Sequence, residues 1–203
     1  MRMRFRKSFA DIINLVTYIA IAELTLCWFL WVLVFVIRRR QGRAGKAVVT
    51  APAARLGIFL QGAAYAVVWS FSPISLGRSE WWPKGFTIAS MVLGPASVGL
   101  AWFAVRHLGK QWRIQAALSE DHELVQTGPY RWVRHPIYAS MLGMLLATGF
   151  AWSWWPLLLI ALAIFLVGTE IRVRAEDRLL ADRFGESFAA YRSRVRAYIP
   201  FLR

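Results

Sequence analysis

The sequence has little cysteine and little negative charge. Its single cysteine, Cys27, lies inside an apolar run, so an intrachain disulfide is excluded and the count indicates no redox compartment. Only 11 acidic residues stand against 25 Lys and Arg, which gives a formal net charge of +14. No internal repeat is present, which excludes repeat architectures. The first apolar run is too long and lacks a small-residue cleavage site, so we expect no cleavable signal peptide.

Apolar and aromatic residues are abundant. They make up 58% and 15% of the chain, and the aromatic residues include eleven Trp, which bilayer interfaces favour. This composition predicts an integral membrane protein. The basic residues cluster at the ends of the apolar segments, as positive-inside topology and anionic headgroups require. Because no basic helix or aromatic platform for nucleic acid is evident, we expect the lipid bilayer, and no nucleic acid, as a partner.

Five apolar segments approach the length of about 20 residues that a membrane-spanning helix needs. They comprise residues 12–37, 56–75, 86–105, 136–150 and 152–168. The last two are short and are predicted to form a tight hairpin, with Pro156 opening the return helix. The predicted fold is therefore an all-α integral membrane protein of about five transmembrane helices. Helices on the cytoplasmic side are expected to cap the bundle.

Charge distribution predicts how these segments are arranged. The basic loop 38–55 and the polar segment 106–134 are expected in the cytoplasm of a bacterial inner-membrane protein, although this scheme puts a basic N-terminus outside. The chain divides into three N-terminal spans, 1–105, and a C-terminal region, 106–203. That region contains the hairpin 136–168 and an amphipathic helix expected to lie on the membrane surface.

Glu23 lies near the middle of the first span, where an unpaired carboxylate is costly. We interpret it as a residue of bundle packing, either facing Gln61 or remaining protonated. A role in a substrate tunnel is the less favoured alternative.

Polar side chains gather where residues 106–134 give way to the fourth apolar segment. The run is Arg134-His135-Pro136-Ile137-Tyr138. Pro136 at the first helical position leaves unpaired N–H groups and a partial positive charge, which suit a carboxylate. The alternative is that the arginine anchors to headgroups and Tyr138 belongs to the aromatic belt.

A second polar cluster directly follows the last apolar segment. It consists of Glu170, Arg172, Arg174, Glu176 and Asp177. Arg172 and Glu176 are four residues apart and share one helix face, and the hairpin returns them beside His135. A surface ion pair and a functional site are both consistent with this spacing, but ionisable residues at the membrane edge are candidates for function.

A third group lies in the polar segment. It comprises Gln115, then His122, Glu123, Leu124 and Val125, then Gly128, Pro129 and Tyr130. The glycine–proline pair is a turn signal, and backbone groups on such a loop remain free for a ligand. Taken alone, this stretch is better interpreted as a connector between membrane segments.

The ordered set of these residues, over about the last ninety positions, resembles the isoprenylcysteine carboxyl methyltransferase family and the related phospholipid N-methyltransferases. The resemblance implies S-adenosylmethionine (SAM) as the cofactor and the C-terminal region as the catalytic, SAM-binding one. It also implies that the cytoplasmic helices cap a cofactor pocket. It implies that Arg172 faces the substrate and that Arg172 and Glu176 are catalytic. The implied cofactor-binding residues are Gln115, His122, Glu123, Leu124, Val125, Tyr130, His135, Pro136, Ile137, Tyr138 and Glu176. No metal ligand is implied.

The methyl acceptor is left open by the sequence. A carboxylate on a lipophilic tail needs no general base and would be held by Arg172. An amine, as in a phospholipid N-methyltransferase, needs a base, with Glu176 or His135 as candidates. Two further alternatives are a sterol-reductase-like NADPH oxidoreductase, which the short chain disfavours, and a non-enzymatic membrane scaffold. Oligomeric state is not readable from the sequence.

Overall fold

The structure is a computed structural model that describes residues 2–41, 49–50, 54–70, 84–112, 117–118 and 123–199. Five α-helices dominate this part of the chain. They are α1 (Arg2–Gln41), α2 (Ala54–Trp69), α3 (Lys84–Leu108), α4 (Pro136–Trp152) and α5 (Trp155–Arg194). Two short strands, β1 (Val49–Thr50) and β2 (Ala117–Leu118), pair antiparallel, and 3-10 turns occupy Gly109–Gln111 and Gly128–Arg131.

The helix lengths match a membrane bundle. Among the described residues, α1, α3 and α5 contain apolar stretches long enough to cross a bilayer, and α2 and α4 are shorter apolar helices. With 16 and 17 residues, α2 and α4 are about 24 and 26 Å long, slightly less than the hydrocarbon thickness of about 30 Å. The predicted all-α membrane fold with about five helices is confirmed.

The predicted hairpin joins α4 to α5 through Ser153 and Trp154, and Pro156 lies in the first turn of α5. The helix α4 ends where the Ser153 N–H donates to the carbonyl of Gly149 at 3.0 Å. A side chain at Gly149 would collide with Leu158, so the glycine allows the two helices to close tightly.

Helix α2 packs antiparallel against α5 through small residues. A Cβ atom added at Gly57 would lie 2.6 Å from the carbonyl oxygen of Gly168, and one added at Gly168 would lie 2.8 Å from Leu60 Cβ. Small residues at such crossings let backbones approach closely. The register places Gly57 beside Arg172 and Gln61 beside Thr169.

Helix α5 does not stop at the membrane edge. Residues 155–184, before the kink, rise about 45 Å, which exceeds the hydrocarbon thickness of about 30 Å, so the polar part from Glu170 onward extends beyond the spanning segment, residues 155–169. The sequence predicted a separate surface helix here. Because no proline follows Pro156 within the helix, the helix continues to Gly185, where φ of +50° introduces a kink.

Candidate functional site

A cavity of about 640 Å³ lies between α1, α2, α4 and α5. Its two ends differ in chemistry. One end, which we call the aromatic chamber, is formed by Trp28, Trp31, Tyr65, Trp69 and Met141. The other, the polar end, is formed by Glu123, Leu124, Val125, Tyr130, Arg134, His135, Pro136, Ile137, Tyr138, Arg172, Glu176 and Tyr191.

His135 is held between two carboxylates at the polar end. Its Nδ1 lies 3.2 Å from Glu176 Oε2 and its Nε2 lies 3.0 Å from Asp177 Oδ1. Ionised carboxylates only accept hydrogen bonds, so both ring nitrogens must donate, whichever way the ring is turned. Burial lowers the pKa of His135, but the hydrogen bonds and charges of Asp177 and Glu176 outweigh burial and raise it. The surroundings of His135 therefore favour its imidazolium form.

Asp177 is a positioning residue, which the sequence analysis placed in the second polar cluster without giving it a role. Besides His135, it accepts a hydrogen bond from Arg134 Nη2 at 2.8 Å, and both side chains are buried. Burial raises the pKa of Asp177, but the contacts with His135 and Arg134 lower it to about 2. The only indication of this role in the sequence was the position of Asp177 next to Glu176. Because neighbouring residues of a helix point in different directions, Asp177 points away from the face that Arg172 and Glu176 share.

Arg172, Tyr138 and Glu176 form a connected triad at the cavity wall. Arg172 Nε donates to the Tyr138 hydroxyl at 2.7 Å, and that hydroxyl donates to Glu176 Oε1. Arg172 Nη2 lies 3.6 Å from Glu176 Oε1, and its guanidinium lies 5.0 Å from the Tyr138 ring centre. The Arg172 side chain is only 9% exposed. The predicted i, i+4 pair is thus buried against α4 and is not a surface ion pair.

The chain around His135 is fixed by the residues that follow α5. The N–H of Arg134 donates to the carbonyl of Arg196 at 2.8 Å, and the N–H of His135 donates to that of Ala197 at 2.7 Å. Tyr191 also donates its hydroxyl to the carbonyl of Tyr130 at 2.5 Å. These bonds fasten both sides of the polar end together, so that the start of α4 cannot move independently of the end of α5.

The N-terminus of α4 offers fewer free N–H groups than the sequence predicted. Pro136 occupies the first helical position, as expected. However, the N–H groups of Tyr138 and Ala139 already donate to the carbonyl of His135 at 3.0 and 3.2 Å. A positive charge at this point is therefore supplied mainly by His135 and Arg172.

The residues singled out in the sequence converge where the structure describes them. Ten of them line the cavity described above, and they are Glu123, Leu124, Val125, Tyr130, His135, Pro136, Ile137, Tyr138, Arg172 and Glu176. The segment 123–125 is held in place by a 3.3 Å hydrogen bond from the Glu123 N–H to Gln111 Oε1. Gln115 and His122 lie outside the described residues.

The sequence missed the contribution of α1 and α2 to the cavity. From α2, the lining residues lie on one helix face, and they are Ile58, Gln61, Gly62, Tyr65 and Trp69. The expectation that Glu23 faces Gln61 is not supported, because Gln61 Nε2 instead donates to Thr169 Oγ1 at 2.9 Å. An aromatic and apolar face on a spanning helix looks the same in sequence whether it lines a cavity or packs against a neighbour.

The fold and the cavity define an all-α membrane protein with a buried ionic cluster at one end of an apolar chamber. Residues 89–182 match the model of the isoprenylcysteine carboxyl methyltransferase family, and the chain is similar to this family over that range.

Three relatives illustrate the range of similar proteins. The cobalt-zinc-cadmium resistance protein CzcN of Cupriavidus metallidurans is 32% identical over 142 residues, which are 67% of this chain and 61% of that protein. Protein YpbQ of Bacillus subtilis is 29% identical over 51% of this chain and 59% of its own length. The protein-S-isoprenylcysteine O-methyltransferase of Xenopus laevis is 30% identical over 44% of this chain and 31% of its own length. The chain thus spans about 60% of the length of the first two relatives.

Proposed function

We propose that this protein is a membrane methyltransferase that uses SAM to methylate the carboxylate of a lipid-tailed acceptor. The observation that carries the proposal is that one continuous cavity contains both the buried ionic cluster and the aromatic chamber, which is formed by the apolar helices. Such a cavity can hold a polar cofactor and an apolar tail with their reactive ends together. The match of residues 89–182 to the methyltransferase family model supports the assignment.

The side chains at the polar end fit SAM, which carries an ammonium, a carboxylate and a sulfonium. The carboxylate of Glu176 suits a cationic group, and the rings of Tyr130 and Tyr138 offer faces to a cation or an adenine. The segment 123–125 adds backbone groups for hydrogen bonding. When bound, SAM supplies an electrophilic methyl group.

Arg172 is the residue proposed to hold the acceptor. Its guanidinium can bind a carboxylate through charge-assisted hydrogen bonds, while Tyr138 and Glu176 fix its orientation. Because in-line methyl transfer depends chiefly on alignment, positioning the carboxylate is the main contribution that the protein makes. The chamber walls would exclude water and hold the tail.

The charge balance of the cluster favours a carboxylate over an amine acceptor. Its three cations are Arg134, His135 and Arg172, and its two anions are Glu176 and Asp177, which leaves one net positive charge. An amine acceptor would also need a base. Each ring nitrogen of His135 faces a carboxylate, so His135 is not placed to accept a proton from the acceptor. Burial raises the pKa of Glu176, but the contacts with His135 and Arg172 outweigh burial, so that the pKa is lowered overall. Glu176 is therefore a weak base. A phospholipid N-methyltransferase is therefore the less favoured candidate.

The location that we propose is a bacterial inner membrane, with the polar end of the cavity facing the cytoplasm. The basic residues between the apolar segments support this orientation through the positive-inside rule. SAM would then enter from the cytoplasm and the acceptor tail from the bilayer. The functional division into the spans 1–105 and the catalytic region 106–203 remains part of this proposal.

The test is incubation of membranes containing the protein with methyl-labelled SAM, followed by lipid extraction and treatment with base. Release of the label as methanol is expected, because a methyl ester is cleaved by base. The release should disappear in Glu176→Gln and persist in Glu170→Gln, a matched change of a glutamate outside the cavity on the same helix. Label that resists base would indicate an amine acceptor and contradict the carboxylate assignment.

A further inference from the structure

Two buried side-chain atoms in the cavity wall, Arg134 Nε and Gln61 Oε1, have no hydrogen-bond partner among the residues that the structure describes, and Gln61 Oε1 is the one acceptor of the two. Gln61, on α2, is 2% exposed and lines the cavity. Its Nε2 donates to Thr169 Oγ1 at 2.9 Å, while its Oε1 makes no hydrogen bond to any residue that the structure describes. Buried side-chain oxygens are nearly always hydrogen-bonded, and leaving one unpaired costs free energy. The unpaired oxygen therefore points to a hydrogen-bond donor outside the residues that the structure describes.

The neighbouring polar groups make Gln61 stand out. The indole nitrogens of Trp28 and Trp31 donate to Thr148 Oγ1 and Ser140 Oγ, at 3.0 and 3.4 Å. The hydroxyl of Tyr65, one turn further along α2, donates to the carbonyl of Met141 at 2.7 Å. Because these polar atoms already donate hydrogen bonds within the protein, they are not available to a ligand, and a ligand meets mainly apolar surface in the chamber. Gln61 Oε1 remains as an acceptor.

The position of Gln61 is set by its partner on α5. Thr169 precedes Arg172 by three residues, a rise of about 4.5 Å along the helix. Gln61 thus lies about one turn deeper than Arg172, between the ionic cluster and the aromatic chamber. Trp69 lies eight residues further along α2, about 12 Å deeper again. A molecule with its carboxylate at Arg172 and its tail towards Trp69 must pass Gln61 near its head.

We propose that Gln61 Oε1 accepts a hydrogen bond from the acceptor molecule. The acceptor then carries an N–H or O–H donor between its carboxylate and its apolar tail, as in an amide-linked lipid amino acid, and is not a plain fatty acid. Gln61 is a specificity-determining residue, because an acceptor without the donor leaves Oε1 unpaired at apolar depth. This inference rests on the proposed function, since it takes Arg172 as the site of the carboxylate.

The test compares two probes that differ at one atom. N-lauroylglycine has an amide N–H, and N-lauroylsarcosine has an N-methyl group in its place. Each is added below its micelle-forming concentration to the protein reconstituted in nanodiscs, and binding is measured from the increase in melting temperature. In the wild type, N-lauroylglycine should bind about tenfold more tightly than N-lauroylsarcosine, the effect of about one buried hydrogen bond. Gln61→Met, which keeps the side-chain length, should bring the ratio close to one.

A control variant separates the hydrogen bond from the shape of the cavity. Met141→Leu changes an apolar lining residue, so the tenfold preference should persist. Equal binding of the two probes by the wild type would overturn the inference, and would indicate that Oε1 binds a water molecule instead. Failure of both probes to bind would also overturn it. Methyl transfer is scored separately, so a preference for N-lauroylglycine without transfer of label would sustain the role of Gln61 while contradicting the proposed function.

Discussion

Helix α5 carries two arginine–glutamate pairs at the same spacing in different surroundings. Glu170 and Arg174 lie 2.8 Å apart, and their side chains are 22% and 69% exposed. Arg172 and Glu176 lie 3.6 Å apart, and their side chains are 9% and 25% exposed. The two glutamates are thus similarly buried, and the closer pair is the one with the exposed arginine. Contact distance and spacing do not identify a functional pair, whereas burial of the arginine separates the two.

The order of the charges along the helix separates the two pairs as well. A glutamate that precedes its basic partner by four residues, as Glu170 precedes Arg174, stabilises a helix better than the reverse order. Arg172 precedes Glu176 and has the less favourable order. The Arg172–Glu176 pair is instead supported by contacts with α4, through Tyr138 and His135. The Glu170–Arg174 pair is thus arranged to stabilise the helix, and the Arg172–Glu176 pair is arranged to form part of the candidate functional site.

The largest expected difference between the two pairs comes from removing each arginine. Arg172→Ala should lower kcat/KM for methyl transfer by about 10²–10³-fold, because breaking a buried charge pair costs about 2–5 kcal/mol. Arg174→Ala should change it by less than about twofold, since exposed pairs contribute about 0–1 kcal/mol. Incorporation of labelled methyl measures both, and melting curves on the same samples identify any unfolding. Equal losses in the two variants would contradict the assignment.

Tyr138→Phe should have a smaller effect on the buried pair. The change removes the hydroxyl that accepts from Arg172 and donates to Glu176, but leaves the ring in place. A hydrogen bond to a charged group contributes about 1.5–3 kcal/mol, so kcat/KM should fall at least about tenfold. Full activity in this variant would indicate that the hydroxyl does not orient Arg172.

Asp177→Asn should alter how stability depends on pH. Because the pKa of His135 is raised above its ordinary 6.5, its stabilising charge is complete below that pH and is lost as pH rises through the folded-state pKa. The melting temperature of the wild type should therefore fall as pH rises above about 6.5. Asp177→Asn removes one of the carboxylates that raise this pKa, so the fall should be smaller. Melting curves recorded from neutral to alkaline pH provide the measurement, and an unchanged slope would count against an imidazolium at His135.

The carboxylate of Asp177 has the opposite dependence. Its pKa is lowered from 3.8 to about 2 in the folded protein. Its stabilising contribution is therefore complete above about pH 4 and is lost as pH falls towards 2. The cluster therefore contributes most to stability at pH values between the acidic range in which Asp177 becomes protonated and the higher range in which His135 loses its proton.

Glu170→Gln should have the smallest effect. It removes the exposed ion pair, which contributes about 0.3–0.5 kcal/mol as an i, i+4 pair. Methyl transfer should remain within about twofold of the wild type, and added salt should reduce the small difference in stability. A large loss of activity would mean that the exposed pair also belongs to the site.

The sequence predicted the features that depend on long apolar runs and on helix spacing. The helices α1, α3 and α4, the hairpin at Pro156 and the adjacency of His135 to Glu176 all follow from these two signals. The burial of Arg172 could not be predicted, because it depends on Gly57 and Gly168 allowing α2 to approach. Neither glycine has a local signature for that contact.

Two other features left no readable signal. The pairing of Val133 with Arg196 joins backbone groups, which carry no side-chain pattern and are far apart in sequence. Gln61 was noticed only as a possible partner for Glu23, because a single amide on an apolar helix can face several neighbours. Its contact with Thr169 depends on the register between α2 and α5, which only the packed bundle fixes.

Direct binding of SAM to the purified protein in nanodiscs tests the central claim without requiring a known acceptor. Calorimetric titration should be carried out on the wild type, Glu176→Gln and Glu170→Gln. The account predicts one binding site in the wild type, the same affinity in Glu170→Gln, and a loss of at least about tenfold in Glu176→Gln, because a buried carboxylate that holds a cationic ligand contributes more than about 1.4 kcal/mol. Absence of SAM binding by the wild type, or equal affinity in all three proteins, would contradict it.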